Sequence, residues 1–417
     1  MRLIIPCEFW TPGACGVETF TLAIVRELLS EVDRLILVLP SRKLSYLRGQ
    51  LPDSAGLKLE PLEQPGHGGQ QALLRKAALA AFRYTGDSPL LSWLSALWKR
   101  TITARLRELV AQHKASHCLY TYTIAQSPPE IDIPLAACVS DLRWHYRPSD
   151  WPAPANLILE RFFAQWLNKV KLLMPVSEMV AAEIRQVFPF YQGRLKTVPH
   201  GTDPFLLDRL SQRSTATAQD KQETPIFYYP ALVSPHKNHL RLLQAAALLA
   251  KHGENFRIFL SGRDTDRLLT RASPYKEIEE CRQFYTANIS TLTGRIQCLG
   301  NISRDRVYDL YSSCSAVVLP SLYEGFGLPL LEALAAGSYV ICSRIPAYLE
   351  QIGRYDLDGV VALFEPESTS DLAEQMQIAL AQGRDRQNSI ERLREQLSQW
   401  TWQHAARAYF EELSKLH

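Results

Sequence analysis

Short apolar runs alternate with amphipathic stretches along the first half of the chain: RLIIP, LILVLP, HCLYTY, IPLAACVSD and KLLMPVS, with helical spacing between most of them. Apolar runs without strict alternation suit strands covered on both faces, and the intervening helices suit the crossovers of a parallel sheet. The stretch SQRSTATAQDKQET, Ser211 to Thr224, has no apolar periodicity and reads as a linker or exposed loop. Beyond it the rhythm restarts with PIFYYP, FRIFLSG, IQCLG, SAVVLPS, SYVICS and VVALF. This pattern predicts two doubly wound α/β domains in tandem: an N-terminal domain over 1–205, a polar linker or loop over 206–224 and a C-terminal domain over 225–398. Such sheets bind ligands beyond the carboxyl ends of their strands, so the chemistry is sought there and in the cleft between the domains.

A length of 417 residues agrees with two cores, because single cores stop growing at about 250–300 residues. No apolar run approaches the ~20 residues that span a bilayer. The opening MRLIIPCEFW has too short an apolar run for a signal peptide, which predicts a cytoplasmic protein. The eight cysteines are scattered without a C-x-x-C pair and fit buried thiols rather than zinc ligands or disulfides. A net charge of +3, with basic residues interspersed among acidic ones, leaves no stripe for a nucleic acid. The segment 90–113 places Leu90, Leu94, Leu97, Ile102, Leu106 and Leu109 near one helical face, with Trp93, Trp98, Lys99, Arg100, Arg105 and Arg107 nearby. It suits packing on the sheet with its basic residues solvated, and it also suits peripheral contact with an anionic inner-membrane surface.

Candidate chemistry sits at two glycine loops. After RLIIP come CEFWTPGACG and VETFTLAIVRELLS, a strand, a loop with Gly13 and Gly16, and a helix. Such a loop lets a phosphate or sugar reach the amides at a helix N-terminus, but a tight turn asks for glycine on steric grounds alone, and both readings stand. The stretch PSLYEGFGLPLLEALAAG, Pro320 to Gly337, says more. The strand SAVVLP ends at Pro320, the loop SLYEGFG follows, Pro329 suits a first helical turn and Gly337 suits its C-terminal cap. Amides around Phe326, Gly327 and Leu328 then form a site for a diphosphate. Glu324 and Glu332 would repel that anion, so their sensible targets are neutral hydroxyls, which a carboxylate binds as a strong acceptor. A diphosphate flanked by hydroxyl-rich rings is a nucleotide-sugar.

On these residues the sequence resembles the retaining glycosyltransferases of family 4, also called glycosyltransferase group 1, whose GT-B fold sets two Rossmann-like doubly wound parallel-sheet domains across a cleft. EGFGLPLLE carries the two-glutamate motif, FYYPALVSPHKNHLRLLQA looks like a donor-phosphate segment of the mannosyltransferase-like subgroup, VPHGTD resembles the interdomain stretch, and PVSE and VSDLRWHYRPSD resemble N-domain motifs. The resemblance implies transfer of a hexose from GDP-mannose or a UDP-sugar to an acceptor hydroxyl, with retained configuration and with neither metal nor resident cofactor. The acceptor is then a saccharide or lipid-linked saccharide, and the setting is cell-surface polysaccharide or lipopolysaccharide biosynthesis at the cytoplasmic face of the membrane. It implies donor contacts from His236, Lys237 (diphosphate), Gly262, Arg263, Glu324 (sugar hydroxyls), Phe326, Gly327, Leu328 and Glu332 (ribose), and from Gly16 on the opposite domain. Glu324, Lys237 and Asp141 are expected to carry the catalysis, Asp141 and His145 to face the acceptor, and helix 399–417 to cross back onto the first domain. Two positions depart from the family: Leu232 stands where many members have arginine, with His236 or Arg263 as substitutes, and Ser140 stands where many have histidine, with His145 as a substitute or a structural residue.

Rival readings fare less well. The two catalytic carboxylates of a glycoside hydrolase face each other across the scissile bond, whereas Glu324 and Glu332 share one helix entrance. A sugar-nucleotide epimerase of the same architecture needs no donor-sugar glutamate in this motif, and a catalytically silent scaffold needs none of Glu324, Lys237 and Glu332. The triplets DTD (Asp264 to Asp266) and DLD (Asp356 to Asp358) match a short metal-binding pattern. A helix terminus plus Lys237 neutralises a diphosphate without an ion, so no metal ligand is expected.

Overall fold

A computed structural model describes residues 1–7, 16–62, 89–123, 127–151, 155–213, 224–273, 275–382 and 390–417. The chain forms two compact units, Met1–Pro199 with Trp402–His417, and His200–Thr401.

The first unit is built on a parallel sheet of seven strands: β1 (Arg2–Pro6), β2 (Arg34–Pro40), β3 (Leu57–Leu62), β4 (His117–Tyr120), β5 (Leu135–Val139), β6 (Leu172–Pro175) and β7 (Arg194–Leu195). Their order across the sheet is β3-β2-β1-β4-β5-β6-β7. Each apolar run read from the first half becomes one of these strands, and the central ones are buried along nearly their whole length because helices cover both faces. Two strands escape the apolar pattern. Lys58, Glu60 and Pro61 interrupt β3, which is held by its register on β2, and β7 is only two residues long. The C-terminal helix Trp402–Leu413 packs on the helix Gly16–Leu28 through Phe20, whose ring lies 6.1 Å from Trp402 and 6.0 Å from Tyr409. Buried Glu412 pairs with Arg194 at β7 and with Lys415, which fixes the helix at its far end.

In the helix Pro89–His113, Ile102, Leu106 and Leu109 are buried in the first unit. Two of its basic residues are paired alongside: Arg105 with Glu60 (3.4 Å) and Glu108 (2.8 Å), and Lys99 with Glu130 (2.9 Å). The side chains of Leu90, Trp93 and Leu94 lie outside the described residues, and among the described residues no helix is long and apolar enough to cross a membrane.

The second unit has six parallel strands, β8 (Ile226–Pro230), β9 (Arg257–Ser261), β10 (Ile296–Cys298), β11 (Ala316–Leu319), β12 (Val340–Ser343) and β13 (Ala362–Phe364), in the order β10-β9-β8-β11-β12-β13. Every apolar run of the second half is a strand here. In both sheets successive crossovers run outward from the first strand in one direction and then in the other, which opens a crevice at the carboxyl ends of two neighbouring strands: β1 and β4 in one unit, β8 and β11 in the other. The unit begins at His200, inside the expected first domain 1–205, and residues 206–213 of the expected linker 206–224 belong to the helix Pro204–Arg213. Proline opens that helix, Asp203 Oδ1 accepts the Phe205 amide at 3.0 Å, and Leu206 and Leu207 are buried. Residues 214–223 lie outside the described residues. Just upstream, Thr202 is zipped to the other end of the unit: its amide donates to Trp400 O (3.0 Å) and its hydroxyl to Leu397 O (2.7 Å).

Leu106 tests the packing of the long basic helix. Leu106→Ala is expected to lower stability by about 2–5 kcal/mol in denaturant unfolding. A change below about 0.5 kcal/mol, the level of surface substitutions, would mean that this face is not packed.

Candidate active site

The crevice of the second sheet lies between the carboxyl ends of β8 and β11, and the segments that follow these strands supply the site. After β8 the chain makes a short 3-10 turn, Pro235–Lys237, which Asn238 ends in a left-handed conformation (φ 54°) before the helix His239–Lys251. After β11 it forms the loop Pro320–Gly327 and then the helix Leu328–Ala335. The Leu322 amide donates to His236 O at 2.7 Å and joins the two segments. On this support Lys237 Nζ stands 2.5 Å from Glu324 Oε1, with only 13% and 12% of the two side chains exposed. Ser321 Oγ donates to the same carboxylate oxygen at 2.6 Å, Ser343 Oγ at the end of β12 donates to Ser321 O at 2.5 Å, and Tyr229 OH donates to Lys237 O at 2.7 Å. In so dry a place each charge interacts more strongly than at a surface, and an unpaired one is correspondingly costly.

The helix beside the pair starts as its sequence requires. Gly327 has φ 89°, and a Cβ there would sit 2.5 Å from Tyr348 Cε1, so both backbone conformation and space demand glycine. Pro329 lies in the first turn, and Gly337 (φ 76°) follows the last one. Buried Phe326 meets the His200 ring edge-on at 4.9 Å. The first amides of this helix have few intrahelical acceptors and carry the positive end of its dipole.

Glu332, one turn into the helix, is half-buried and accepts a hydrogen bond from Tyr311 OH at 3.1 Å. Burial holds its carboxyl above the usual carboxylate range, against the downward pull of Arg304 and of the Tyr311 hydrogen bond, while Asp203 pushes it up further. His239, buried against Tyr229 at 4.9 Å, is kept neutral: burial first, then the charge of Lys237, take its imidazole down to about 3.

The remaining candidates distribute as follows. Gly262 (φ 126°) lets the turn after β9 lie against the backbone of Ala231, 2.6 Å from where a Cβ would be. Beside it the backbone of Arg263 accepts from the Val233 amide at 2.9 Å, and its guanidinium is half-exposed and 3.8 Å from Asp264. Leu232 is partly buried, and His236 bonds Ser234 Oγ at 2.9 Å. In the first unit, Gly16 is the exposed first residue of its helix, and Gly13 lies outside the described residues. Asp141 follows β5 and accepts the Arg143 amide at 3.0 Å, and His145 is exposed and edge-on to Trp144 and Tyr146. Three of the four Asp-x-Asp carboxylates face arginine: Asp264 by Arg263, Asp266 by Arg267 (3.4 Å) and Asp356 by Arg392 (3.2 Å). Tyr229, Ser321, Ser343, Tyr348, Tyr311 and Arg304 went unnoticed in the sequence because they act through their neighbours. Only the position of Tyr229 and Ser343 at strand ends could have drawn attention to them.

Gly327→Ala imposes left-handed strain of about 1–3 kcal/mol and adds a steric clash. The expected result in denaturant unfolding is a loss of at least about 2 kcal/mol, part of which a second change, Tyr348→Leu, restores. An alanine variant as stable as the parent would contradict the loop geometry.

A family model described as "Glycosyl transferases group 1" matches residues 212–396, the part of the chain that holds Lys237, Glu324 and Glu332. The O-antigen chain mannosyltransferase B of Escherichia coli is 28% identical over 198 residues, 47% of this chain and 49% of that protein. The lipopolysaccharide 1,2-N-acetylglucosaminetransferase of Salmonella typhimurium is 26% identical over 258 residues, 59% of this chain and 62% of that protein. The chain thus spans about half the length of the first of these relatives. Among solved structures, sucrose-phosphate synthase from Thermosynechococcus elongatus superposes with a TM-score of 0.70 at 15% identity, covering 100% of this chain and 98% of that one. WaaG, a glycosyltransferase involved in lipopolysaccharide biosynthesis, does so with a TM-score of 0.64 at 14% identity, covering 99% of this chain and 100% of that one. These likenesses extend through both units and establish a shared fold. Residues 212–396 of the chain thus resemble the group 1 glycosyl transferases, and its two units have the GT-B fold.

Proposed function

We propose that the protein transfers a hexosyl unit, mannosyl in the first instance, from a nucleotide-sugar to a hydroxyl of a saccharide or lipid-linked saccharide acceptor with retained anomeric configuration. The mannosyl preference and the O-antigen or lipopolysaccharide setting rest on what the relatives are named for, and the cytoplasmic face of the membrane is our reading of where the reaction takes place. The observation that carries the reading is the Lys237–Glu324 pair beside the helix that begins at Leu328. An ammonium has three donors, of which Glu324 takes one, and the others suit diphosphate oxygens. As the bond to the departing diphosphate lengthens, negative charge grows there. Lys237 and the amides at Gly327 and Leu328 therefore stabilise the transition state more than the ground state. Glu324, steadied by Ser321, accepts donor-sugar hydroxyls, and Glu332 accepts those of the ribose. In this reading neither metal nor resident cofactor takes part, and Asp141 and His145 stand on the acceptor side.

The reading is tested with purified protein and a panel of GDP-mannose and UDP-sugars. Lys237→Ala is expected to cost about 2–4 kcal/mol in kcat/KM, chiefly in kcat, while Glu332→Ala raises donor KM and leaves kcat nearly intact. Near-normal donor KM and turnover in both variants would show that the site is misassigned. Activity is expected to survive EDTA, and complete loss restored by Mg²⁺ or Mn²⁺ would overturn the metal-free mechanism.

A further inference from the structure

One face of the helix Arg304–Ser313 carries Arg304, Tyr308 and Tyr311, spaced so that all three lie in line. Tyr311 OH donates to Glu332 Oε2 at 3.1 Å, and Tyr311 is itself packed against Tyr228 at 5.6 Å, whose hydroxyl is bonded to Ser261 Oγ at 2.6 Å. Arg304 reaches Asp203 Oδ2 at 2.5 Å and bonds Tyr308 OH, which stands 3.3 Å from the same carboxylate oxygen. Asp203 is held in turn by accepting the Phe205 amide through its other oxygen.

We infer that Tyr311 and Arg304 are positioning residues for Glu332: Tyr311 fixes the carboxylate by one oxygen, and Arg304, oriented by Asp203, supplies the positive field under which it takes the ribose diol. The inference rests on the reading of Glu332 as a nucleotide ligand. A half-buried carboxylate beside a second carboxylate tends to hold its proton, and a protonated Glu332 is a poorer acceptor for two hydroxyls. Arg304 opposes that tendency and Asp203 reinforces it, so the two residues act on Glu332 with opposite sign. Among the described residues the other titratable or charged groups around it include Tyr308 and Tyr228, which burial keeps protonated, with Arg306 and Cys314 near Tyr228. Both tyrosine hydroxyls therefore stay protonated between about pH 5 and 8.

The sign difference supplies the test. Binding of GDP and UDP is measured by calorimetry across this pH range, each against its 2′,3′-dideoxy analogue, which lacks the diol and cancels the titration of the diphosphate itself. For wild type, the diol's contribution to affinity falls as pH drops through the Glu332 titration. Arg304→Gln is expected to move that fall to higher pH by about half to one unit, which weakens diol binding about three- to tenfold at pH values well below the fall. Asp203→Asn, which keeps the amide acceptor, is expected to move the fall to lower pH, Arg304→Lys to restore most of the parent behaviour, and Tyr311→Phe to raise KM while sparing kcat. Displacement in the same direction in Arg304→Gln and Asp203→Asn, or none in either, overturns the inference. If Arg304→Gln fails to fold, Asp203→Asn and Tyr311→Phe decide it alone. A wild-type protein that binds neither nucleotide nor ADP overturns the nucleotide-sugar reading and this inference with it, an outcome distinct from tight binding with unmoved profiles.

Discussion

The ion pair between Lys237 and Glu324 is the interaction around which the second unit is organised. Its partners are 87 positions apart in the chain and meet only because the sheet reverses its winding between β8 and β11. That reversal sends the two connections away from each other and leaves their first residues facing across a crevice. A cation and an anion that are almost wholly covered are costly unless each is satisfied. The surrounding hydrogen bonds from Ser321 and Tyr229, and from Ser343 behind them, are the support such a pair requires.

The same rule shapes the rest of the site. Lys237, Glu324, Glu332 and Arg304 each have a polar partner. Glu332 is held by Tyr311, and Arg304 by Asp203, whose other oxygen caps the turn into the helix Pro204–Arg213. Gly327 contributes by its lack of a side chain. Its left-handed backbone brings the amides of the next helix close to the pair, and Tyr348 fills the space that a Cβ would need. On the proposed function, a site arranged in this way would present donors to a diphosphate and acceptors to the hydroxyls on either side of it, with little left to reorganise during reaction.

Much of this was legible in the sequence. The apolar runs located eleven of the thirteen strands among the described residues, since strands buried on both faces leave an uninterrupted signature, and Pro329 and Gly337 marked the ends of one helix. The strands β3 and β7 were not legible, because one depends on register with its neighbour and the other is too short to have a pattern. The helix Pro204–Arg213 was concealed by the polar tract that follows its two buried leucines. Glu324 and Glu332 stood out as charges around the entrance of an apolar helix, and Lys237 through the resemblance of its segment to the family's donor-phosphate stretch. Tyr311 and Arg304 did not, because their meaning lies in partners 21 and 101 positions away, and a tyrosine or arginine on an exposed-looking helix has no local sign of such a role.

The central claim is that the crevice between β8 and β11 holds the diphosphate of a nucleotide-linked sugar. A crystal structure of the protein with a bound nucleoside diphosphate tests it most directly. The expected result places diphosphate oxygens within hydrogen-bond distance of Lys237 Nζ and of the amides at Gly327 and Leu328, with the ribose hydroxyls on Glu332. A nucleotide found instead at the carboxyl end of the first unit's sheet beside Gly16, with Lys237 bonded to Glu324 alone, would contradict it.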